Sequence, residues 1–110
     1  MVKYEAELDA VFTALAHPVR RAMLVRLGSA EATVGELAEP LDISLPAVTK
    51  HLKVLENAGL VLKGRDAQWR PCQLNGDALR DAAHWMEQHR IFWEASFDRL
   101  ETYLARRKNQ

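Results

Sequence analysis

One short stretch after Ser44 constrains the fold more than any other part of the chain. Val48, Leu52 and Leu55 are spaced i, i+4 and i+7, which places them on one face of an amphipathic helix. Ser44 is a favourable N-cap residue, and Gly59 supplies a residue at which such a helix stops. The stretch therefore predicts a helix with one buried face and one solvent-facing face.

A second, shorter helix is predicted directly before it. Thr33 and Glu36 have the spacing of a capping box, and Pro40 ends the helix near Glu39. The two helices form a helix-turn-helix over about residues 34–58. Because an exposed helix face of this kind fits the major groove of DNA, we expect base contacts from four of its residues: Leu45, Pro46, Thr49 and Lys50.

The segment after Gly59 predicts a β-hairpin over about residues 60–74. Leu60–Lys63 and Gln68–Leu74 have strand composition, and Pro71 indicates that the second strand lies at an edge. Such a hairpin is either an ordinary charged surface hairpin or, beside a helix-turn-helix, a wing. As a wing it lies near the DNA backbone, so we expect phosphate contacts from Lys53, Lys63, Arg65 and Arg70, with Ser44 and His51 as lesser candidates.

The distribution of charge supports this interpretation, although the total does not. The chain has 15 basic and 15 acidic residues and a formal net charge of zero. Residues 44–74 hold five basic and two acidic side chains, whereas residues 1–43 hold four basic and seven acidic ones. Positive charge is thus concentrated on the predicted DNA-binding part, as a phosphate-contacting surface requires.

Length and composition indicate one domain in the cytoplasm. A chain of 110 residues with 48% hydrophobic residues can bury a small core. No apolar run approaches the roughly 20 residues of a membrane span, and the first ten residues lack the pattern of a signal peptide. The single cysteine, Cys72, excludes an internal disulfide; it is either a small buried strand residue or a redox switch.

Two further helices are predicted ahead of the helix-turn-helix. The first covers about residues 4–15, where apolar residues follow helical spacing. The second begins at Pro18, a residue favoured at helix starts, and continues to Gly28. We expect Arg20, Arg21 and Arg26 on its outer face, with Arg20 or Arg21 as a further candidate for a phosphate contact.

The end of the chain, about residues 77–107, predicts one helix of about 45 Å. Its apolar residues suggest two stripes, one containing Leu79, Met86, Trp93 and Leu100 and another containing Trp85, Phe92 and Tyr103. Two stripes need two packing partners, the chain's own core and a second copy; a ligand pocket is the alternative use of the aromatic residues. The expected homodimer interface contains Tyr4, Leu8, Phe12, Trp85, Met86, Trp93, Phe97, Leu100 and Leu104.

Three phrases of the sequence, residues 12–21 (FTALAHPVRR), 36–38 (ELA) and 46–61 (PAVTKHLKVLENAGLV), together with this order of elements, closely resemble the ArsR/SmtB family of bacterial repressors. The resemblance covers nearly the whole chain. It implies a mainly α fold with a small β-hairpin, namely a winged helix-turn-helix with a long C-terminal dimerisation helix. It also implies a dimer that reads an inverted repeat in double-stranded DNA and represses transcription.

The sequence departs from the metal-sensing members of that family. Where they have a Cys-x-Cys pair after Glu-Leu, this chain has Ala38, Glu39 and Pro40. His84 and His89 are five residues apart, about 140° around a helix, so they do not share a face. Asp81, His84 and Glu87 could form a site only with a partner chain. We therefore expect neither metal nor cofactor, and the nature of an effector, small molecule or metal, stays open.

Enzymatic activity is not expected. No serine or cysteine has a recognisable spacing to a histidine and an acid, and no glycine-rich phosphate loop is present. Two alternatives to the simple repressor remain: a metal-responsive repressor with a non-standard site, and a winged-helix module for protein–protein contact, which the neutral net charge favours. Salt-dependent retention on duplex DNA would separate the last of these from a DNA-binding protein.

Overall fold

The computed structural model describes residues 3–64 and 71–109. Five helices and two strands follow one another along this part of the chain. They are α1 (Lys3–Leu15), α2 (Pro18–Ser29), α3 (Val34–Ala38), α4 (Leu45–Asn57), β1 (Val61–Lys63), β2 (Cys72–Leu74) and α5 (Gly76–Lys108). The mainly helical fold with a small hairpin is confirmed. The predicted residues Arg65 and Arg70 lie outside the described residues.

Side-chain caps determine where four of the helices begin, and at α5 the cap is Asn75, whose side chain accepts from the backbone of Asp77 at 3.3 Å. The His17 ring accepts the backbone N–H of Val19 at 3.1 Å and starts α2. Thr33 and Glu36 satisfy each other's backbone N–H groups and form the capping box expected at α3. The Ser44 hydroxyl accepts from Ala47 at 3.3 Å and starts α4. Since a helix N-terminus leaves backbone donors without partners, these caps fix the turns between the helices.

The core lies where α1, α2, α3, α4 and the hairpin meet. Val48, Leu52 and Leu55 of α4 are fully buried, as predicted from their spacing. Together with Met23 and Leu37 they belong to one continuous apolar cluster. One face of α4 is thus fixed against the core, so its opposite face must point outward.

Each described strand of the hairpin has three residues, and the predicted strand residues 68–70 lie outside the described residues. β1 and β2 are antiparallel, and Val61 faces Leu74 while Lys63 faces Cys72. On its other side Cys72 pairs with Ala32, through backbone hydrogen bonds of 2.7 and 3.0 Å. The base of the wing is therefore joined to the segment that precedes α3.

Gly59 makes the corner between α4 and β1. Its φ angle is +77°, in the left-handed region that side chains with a Cβ rarely adopt. The chain reverses here, and Leu60 is buried directly afterwards. The predicted stop of α4 at this glycine is confirmed by the end of the helix at Asn57.

The last helix, α5, has 33 residues and extends about 50 Å. The molecule measures 67 × 35 × 24 Å, with a radius of gyration of 18.7 Å against about 13 Å for a compact chain of this size. The first turns of α5 pack on the core through Ala78, Leu79, Ala82 and Trp85. Beyond them the helix projects past its own domain.

The apolar side chains of α5 lie on one side of the helix, where the two predicted stripes adjoin, with Phe92 at the outer margin about 80° from Ala82. At about 100° per residue, Ala82, Met86, Trp93, Phe97, Leu100 and Leu104 fall within about 60° of one another, and Trp85 and Tyr103 lie at the edge of the same stripe. Its first part packs on the chain's own core, and its later part is exposed at Met86, Phe97, Leu100 and Leu104. The same stripe thus passes from the core to an uncovered surface.

Of the predicted interface residues, Leu8 belongs to the interior, and Trp85 lies partly against the core and partly at the surface. Leu8 is 7% exposed and is part of the core cluster. Trp85 is half-buried against that cluster and meets Phe12 edge-on, with ring centroids 5.9 Å apart. The helical period of the sequence identified them as apolar but could not tell which copy of the chain covers them. The side chain of Tyr4 lies outside the described part of the structure.

Candidate DNA-binding surface

The outer face of α4 presents the predicted base-contacting residues to solvent. Leu45 has 54% of its surface exposed, and Pro46, Thr49, Lys50 and Lys53 are exposed as well. Pro46, Lys50 and Lys53 fall within about 60° of one another around the helix, opposite the buried stripe. This face combines two cations with apolar and hydroxyl groups.

The Thr49 hydroxyl is oriented by its own helix. It donates to the carbonyl oxygen of Leu45 at 3.1 Å. A hydroxyl has one hydrogen and two acceptor lone pairs. Because the hydrogen is used within the helix, Thr49 can bind an outside partner by accepting a hydrogen bond or through its methyl group. Thr49 is thus suited to face an amino group or an apolar group, and less suited to donate.

Ser44 combines its capping role with exposure. Its oxygen accepts from the backbone of Ala47, so the hydroxyl hydrogen stays available to an acceptor. The side chain lies at the N-terminus of α4, where the helix dipole favours a negative group. This supports its prediction as a lesser phosphate contact.

His51 lies on the flank of α4 that faces the start of α2. Its ring is stacked at an angle on the His17 ring, with centroids 4.3 Å apart, and its Nδ1 lies 3.3 Å from the Arg20 guanidinium. Desolvation lowers the pKa of His51 below its usual value, and the nearby His17 and Arg20 lower it further. His51 thus contacts His17 and Arg20 and also lies close to the surface.

Of the three arginines of α2 expected to face outward, Arg21 is exposed and Arg20 and Arg26 are half-buried, and each donates a hydrogen bond to a backbone carbonyl. Arg20 donates to the carbonyl oxygens of Ala14 and Thr13 at 2.7 and 3.1 Å, and Arg21 donates to that of Leu15 at 2.7 Å. The last carbonyls of α1 have no helical partner and therefore attract these donors. Arg20 in particular is a poor candidate for a phosphate contact.

Lys63 is the part of the predicted wing contacts that the structure describes. Its ammonium group lies 3.1 Å from the carboxylate of Glu56 on α4. The pair joins the wing to the second half of the helix, and it offsets part of the charge that a phosphate would meet. Lys50 and Lys53 have no such ion pair with any residue in the described ranges, so they are the stronger cationic candidates.

Asn57 is an exposed residue of the same face that the sequence interpretation left out. It follows Pro46, Lys50 and Lys53 at the helical spacing i, i+4, i+7 and i+11. That spacing alone could have identified it. Its amide can both donate and accept, but it lies at the far end of α4 from the capped N-terminus.

No cluster of three or more His, Cys, Asp or Glu side chains suited to a metal ion occurs within residues 3–64 and 71–109. His89 instead stacks on Trp85 and Trp93 and contacts the carbonyl oxygen of Trp85 through Nδ1 at 2.8 Å. His84, Asp81 and Glu87 are exposed on α5. In the same ranges, no helix is both long and apolar enough to cross a membrane.

Comparisons with known proteins agree with this geometry. A family model described as a helix-turn-helix domain matches residues 15–63. The transcriptional repressor SdpR of Bacillus subtilis is 34% identical over 79 residues, which cover 72% of this chain and 88% of the relative. A crystal structure of an ArsR family transcriptional regulator is 36% identical and superimposes with a TM-score of 0.76, over 86% of this chain and 97% of that one. The chain belongs to the ArsR/SmtB family.

A second solved structure, an ArsR-like transcriptional regulator from Rhodococcus, is 30% identical with a TM-score of 0.74 and covers 92% of this chain and 95% of that one. As an ArsR/SmtB protein, the chain is a DNA-binding transcriptional regulator and not an enzyme. The winged helix-turn-helix predicted from the sequence is the fold of this family.

Proposed function

We propose that this ArsR/SmtB protein is a cytoplasmic homodimer that represses transcription by inserting two copies of α4 into an inverted repeat. The observation that carries the proposal is the two-sided character of α4. Its buried residues are fully enclosed, whereas its outer face is exposed and carries Lys50 and Lys53. Two lysines without an ion pair to any described residue, beside an exposed leucine on one helix face, give a surface suited to the charge and the apolar groups of a DNA groove.

Base recognition would come from the first half of α4. Lys50 can donate to the O6 and N7 atoms of guanine, and Thr49 can accept from an exocyclic amino group. Leu45 and Pro46 supply apolar surface for the methyl group of thymine. The helix thus offers donors, an acceptor and apolar contacts within two turns.

Phosphate contacts would surround this reading face. Lys53 is the strongest candidate because it is exposed and forms no ion pair with a described residue. Ser44 and His51 flank the helix, and the wing adds Lys63 together with the predicted Arg65 and Arg70. Such contacts are independent of sequence and fix the orientation of the helix in the groove.

A dimer is needed to read two half-sites. Recognition helices of a twofold dimer enter successive major grooves when they are about 34 Å apart. The uncovered part of the α5 stripe, with the exposed Phe12 of α1 beside Trp85, supplies an apolar surface for this association. We assign Phe12, Met86, Trp93, Phe97, Leu100 and Leu104 to that interface.

The test compares a base contact with a phosphate contact. Duplexes would be selected from a random-sequence pool with the unmodified protein, and binding would then be measured by fluorescence anisotropy at several salt concentrations. We expect Lys53→Ala to weaken binding to all selected duplexes by a similar factor and to reduce the salt slope by about 0.9 for each phosphate that the lysine neutralises. Thr49→Ala should change the order of preference among the duplexes.

Lys108→Ala, at the end of α5, removes the same charge away from α4 and serves as the matched control. It should leave both affinity and preference unchanged. Identical effects of Lys53→Ala and Thr49→Ala across the panel would contradict the division into phosphate and base contacts. Failure to select any duplex at low salt would favour the protein–protein module instead.

A further inference from the structure

One side chain joins the end of α1 to the DNA-binding helix. Arg20, on α2, donates through Nε to the Ala14 carbonyl at 2.7 Å and through one terminal nitrogen to the Thr13 carbonyl at 3.1 Å. Its other terminal nitrogen lies 3.3 Å from Nδ1 of His51 on α4. The guanidinium thus spans three helices in the part of the molecule next to the proposed DNA surface.

The chemistry of arginine determines the state of His51 in this contact. A guanidinium has N–H donors and no acceptor, so Nδ1 of His51 must accept and carry no hydrogen. The ring is therefore neutral, with its hydrogen on Nε2. A proton added to Nδ1 would face the Arg20 donor and would remove the hydrogen bond.

We infer that Arg20 and His51 are positioning residues that hold α4 in its DNA-binding orientation, and that acid releases this contact by protonating His51. The inference rests on the proposed role of α4 in DNA binding. It assigns to His51 a role in the placement of the helix, beyond the lesser phosphate contact expected from sequence. It also gives a function to Arg20, each of whose three guanidinium nitrogens contacts another part of the protein.

The surroundings of His51 favour its neutral form. The charged and titratable groups that act on it are His17, whose ring lies 4.3 Å away, and Arg20, and both oppose a positive charge on the ring. Desolvation acts in the same direction and is the largest cause of its lowered pKa. The hydrogen bond is thus intact near neutral pH, and it breaks as the pH falls through a value below the usual 6.5.

The sign of the pH effect separates this role from a simple phosphate contact. If His51 mainly bound a phosphate, protonation would add an attractive charge and acid would strengthen DNA binding. If His51 positions α4 through Arg20, protonation removes the neutral ring that accepts from Arg20. Acid then weakens DNA binding. The two roles predict opposite slopes.

The experiment compares the protein with His51→Asn over a range of pH. The asparagine oxygen can accept from Arg20 at every pH, and the side chain does not titrate. Affinity would be measured by anisotropy at fixed salt, on a duplex selected from a random pool by the unmodified protein. Between pH 7.5 and pH 5.5 we expect the affinity of the unmodified protein to fall relative to His51→Asn, by up to about tenfold per pH unit, the limit for one linked proton.

His17→Asn is the matched control. Asparagine is a good N-cap residue, so α2 keeps its start, while one of the groups that disfavours the charged form of His51 is removed. The affinity of His17→Asn for the duplex should still fall in acid, but the pH at which it falls should be higher than for the unmodified protein. Circular dichroism at each pH verifies that all three proteins are folded where binding is compared.

A constant affinity ratio between the protein and His51→Asn, or a ratio that changes in the opposite direction, would overturn the inference while leaving the DNA-binding proposal intact. Absence of binding by all three proteins would contradict the DNA-binding proposal itself. Nitrogen NMR shifts of His51 give a test that needs no variant. They should report hydrogen on Nε2 at pH 7.5, and hydrogen on Nδ1 alone would overturn the inference.

Discussion

Cys72 lies where three backbone segments meet. It pairs with Lys63 of β1 on one side and with Ala32 on the other, and its side chain is fully buried. Burial raises the pKa of the thiol above its usual value, and the nearby Glu56 adds to this effect while Lys63 opposes it. The thiolate is the reactive form of cysteine. The environment therefore favours a structural role over a redox switch.

We expect Cys72 to react slowly with a disulfide reagent in the folded protein at pH 8. The rate should be at least about tenfold lower than in the unfolded chain in urea, because the thiol is both enclosed and protonated. The chain has one cysteine, so absorbance of the released thiolate reports this site alone. Equal rates in the two states would show that β2 does not shelter the thiol.

Single residues show where the sequence was sufficient to predict side-chain contacts and where it was not. The spacing of Val48, Leu52 and Leu55 determined which face of α4 is buried, because helix geometry leaves no other solution. The hydrogen-bond partners of Arg20 could not be predicted in the same way. Its partners are backbone carbonyls of another helix and a histidine 31 positions away, and such contacts depend on how the helices pack.

At the scale of an element, α3 depends on its cap more than the other helices do. It has five residues, too few to be stable alone in water. The backbone N–H of Thr33 donates to Glu36 at 3.1 Å, and the Thr33 hydroxyl accepts from Glu36 at 3.2 Å. The hydrogen bonds from Thr33 lower the pKa of Glu36 below its usual 4.5, with a smaller contribution from Arg26.

Thr33→Ala should lower the free energy of unfolding by about 1 kcal/mol, the usual effect of removing an N-cap hydroxyl. Urea unfolding followed by circular dichroism measures the difference. Thr49→Ala is a suitable control, because it removes the same hydroxyl from a solvent-facing position within a longer helix. A decrease at Thr33 no larger than at Thr49 would contradict the importance of the cap.

The pH dependence of stability in Glu36→Gln tests whether the negative charge of Glu36 contributes to the capping box. Because the pKa of Glu36 is lower in the folded protein, its contribution to stability is present above pH 4.5 and is lost as the pH falls through the folded value. The unmodified protein should thus be more stable than Glu36→Gln at pH 7, and the difference should disappear once the pH lies below the pKa of Glu36 in the folded protein. A difference that does not change with pH would contradict the charge effect.

Elements with strong local signals were predicted closely. The capping box of α3, the serine at the start of α4 and the glycine after it are all recognisable from neighbouring residues. Strand pairing is harder to predict, since it depends on a partner that is distant in sequence, and the predicted strand residues 68–70 lie outside the described residues. The bridge between Ala32 and Cys72 joins residues 40 positions apart, and no local pattern indicated it.

At the scale of the whole molecule, the projecting half of α5 dominates the surface chemistry. Phe97 is 60% exposed, and Leu100 and Leu104 are 53% exposed each. They continue the stripe that Ala82 and Trp85 bury in the core. A continuous apolar surface of this length on a regulator marks an interaction site, which supports the proposed association of two copies.

Phe97→Glu should weaken self-association at least about 100-fold, because it places a charge in an apolar interface. Sedimentation equilibrium over a range of concentrations measures the change. Ile91→Glu is the matched control: Ile91 is 73% exposed on the opposite side of α5, about 160° around the helix from Trp93. Equal effects of the two substitutions would contradict the assigned interface.

If two copies associate through the exposed apolar stripe of α5, gene control depends on the abundance of the protein. With association through α5, as proposed, the form that occupies a symmetric site increases with the square of the concentration of free chains while these are scarce. A modest decrease in synthesis of the protein would then lower the occupancy of the promoter more steeply than it would for a regulator that binds as a monomer. Pairing of two chains would in this way make the response of a target gene steeper.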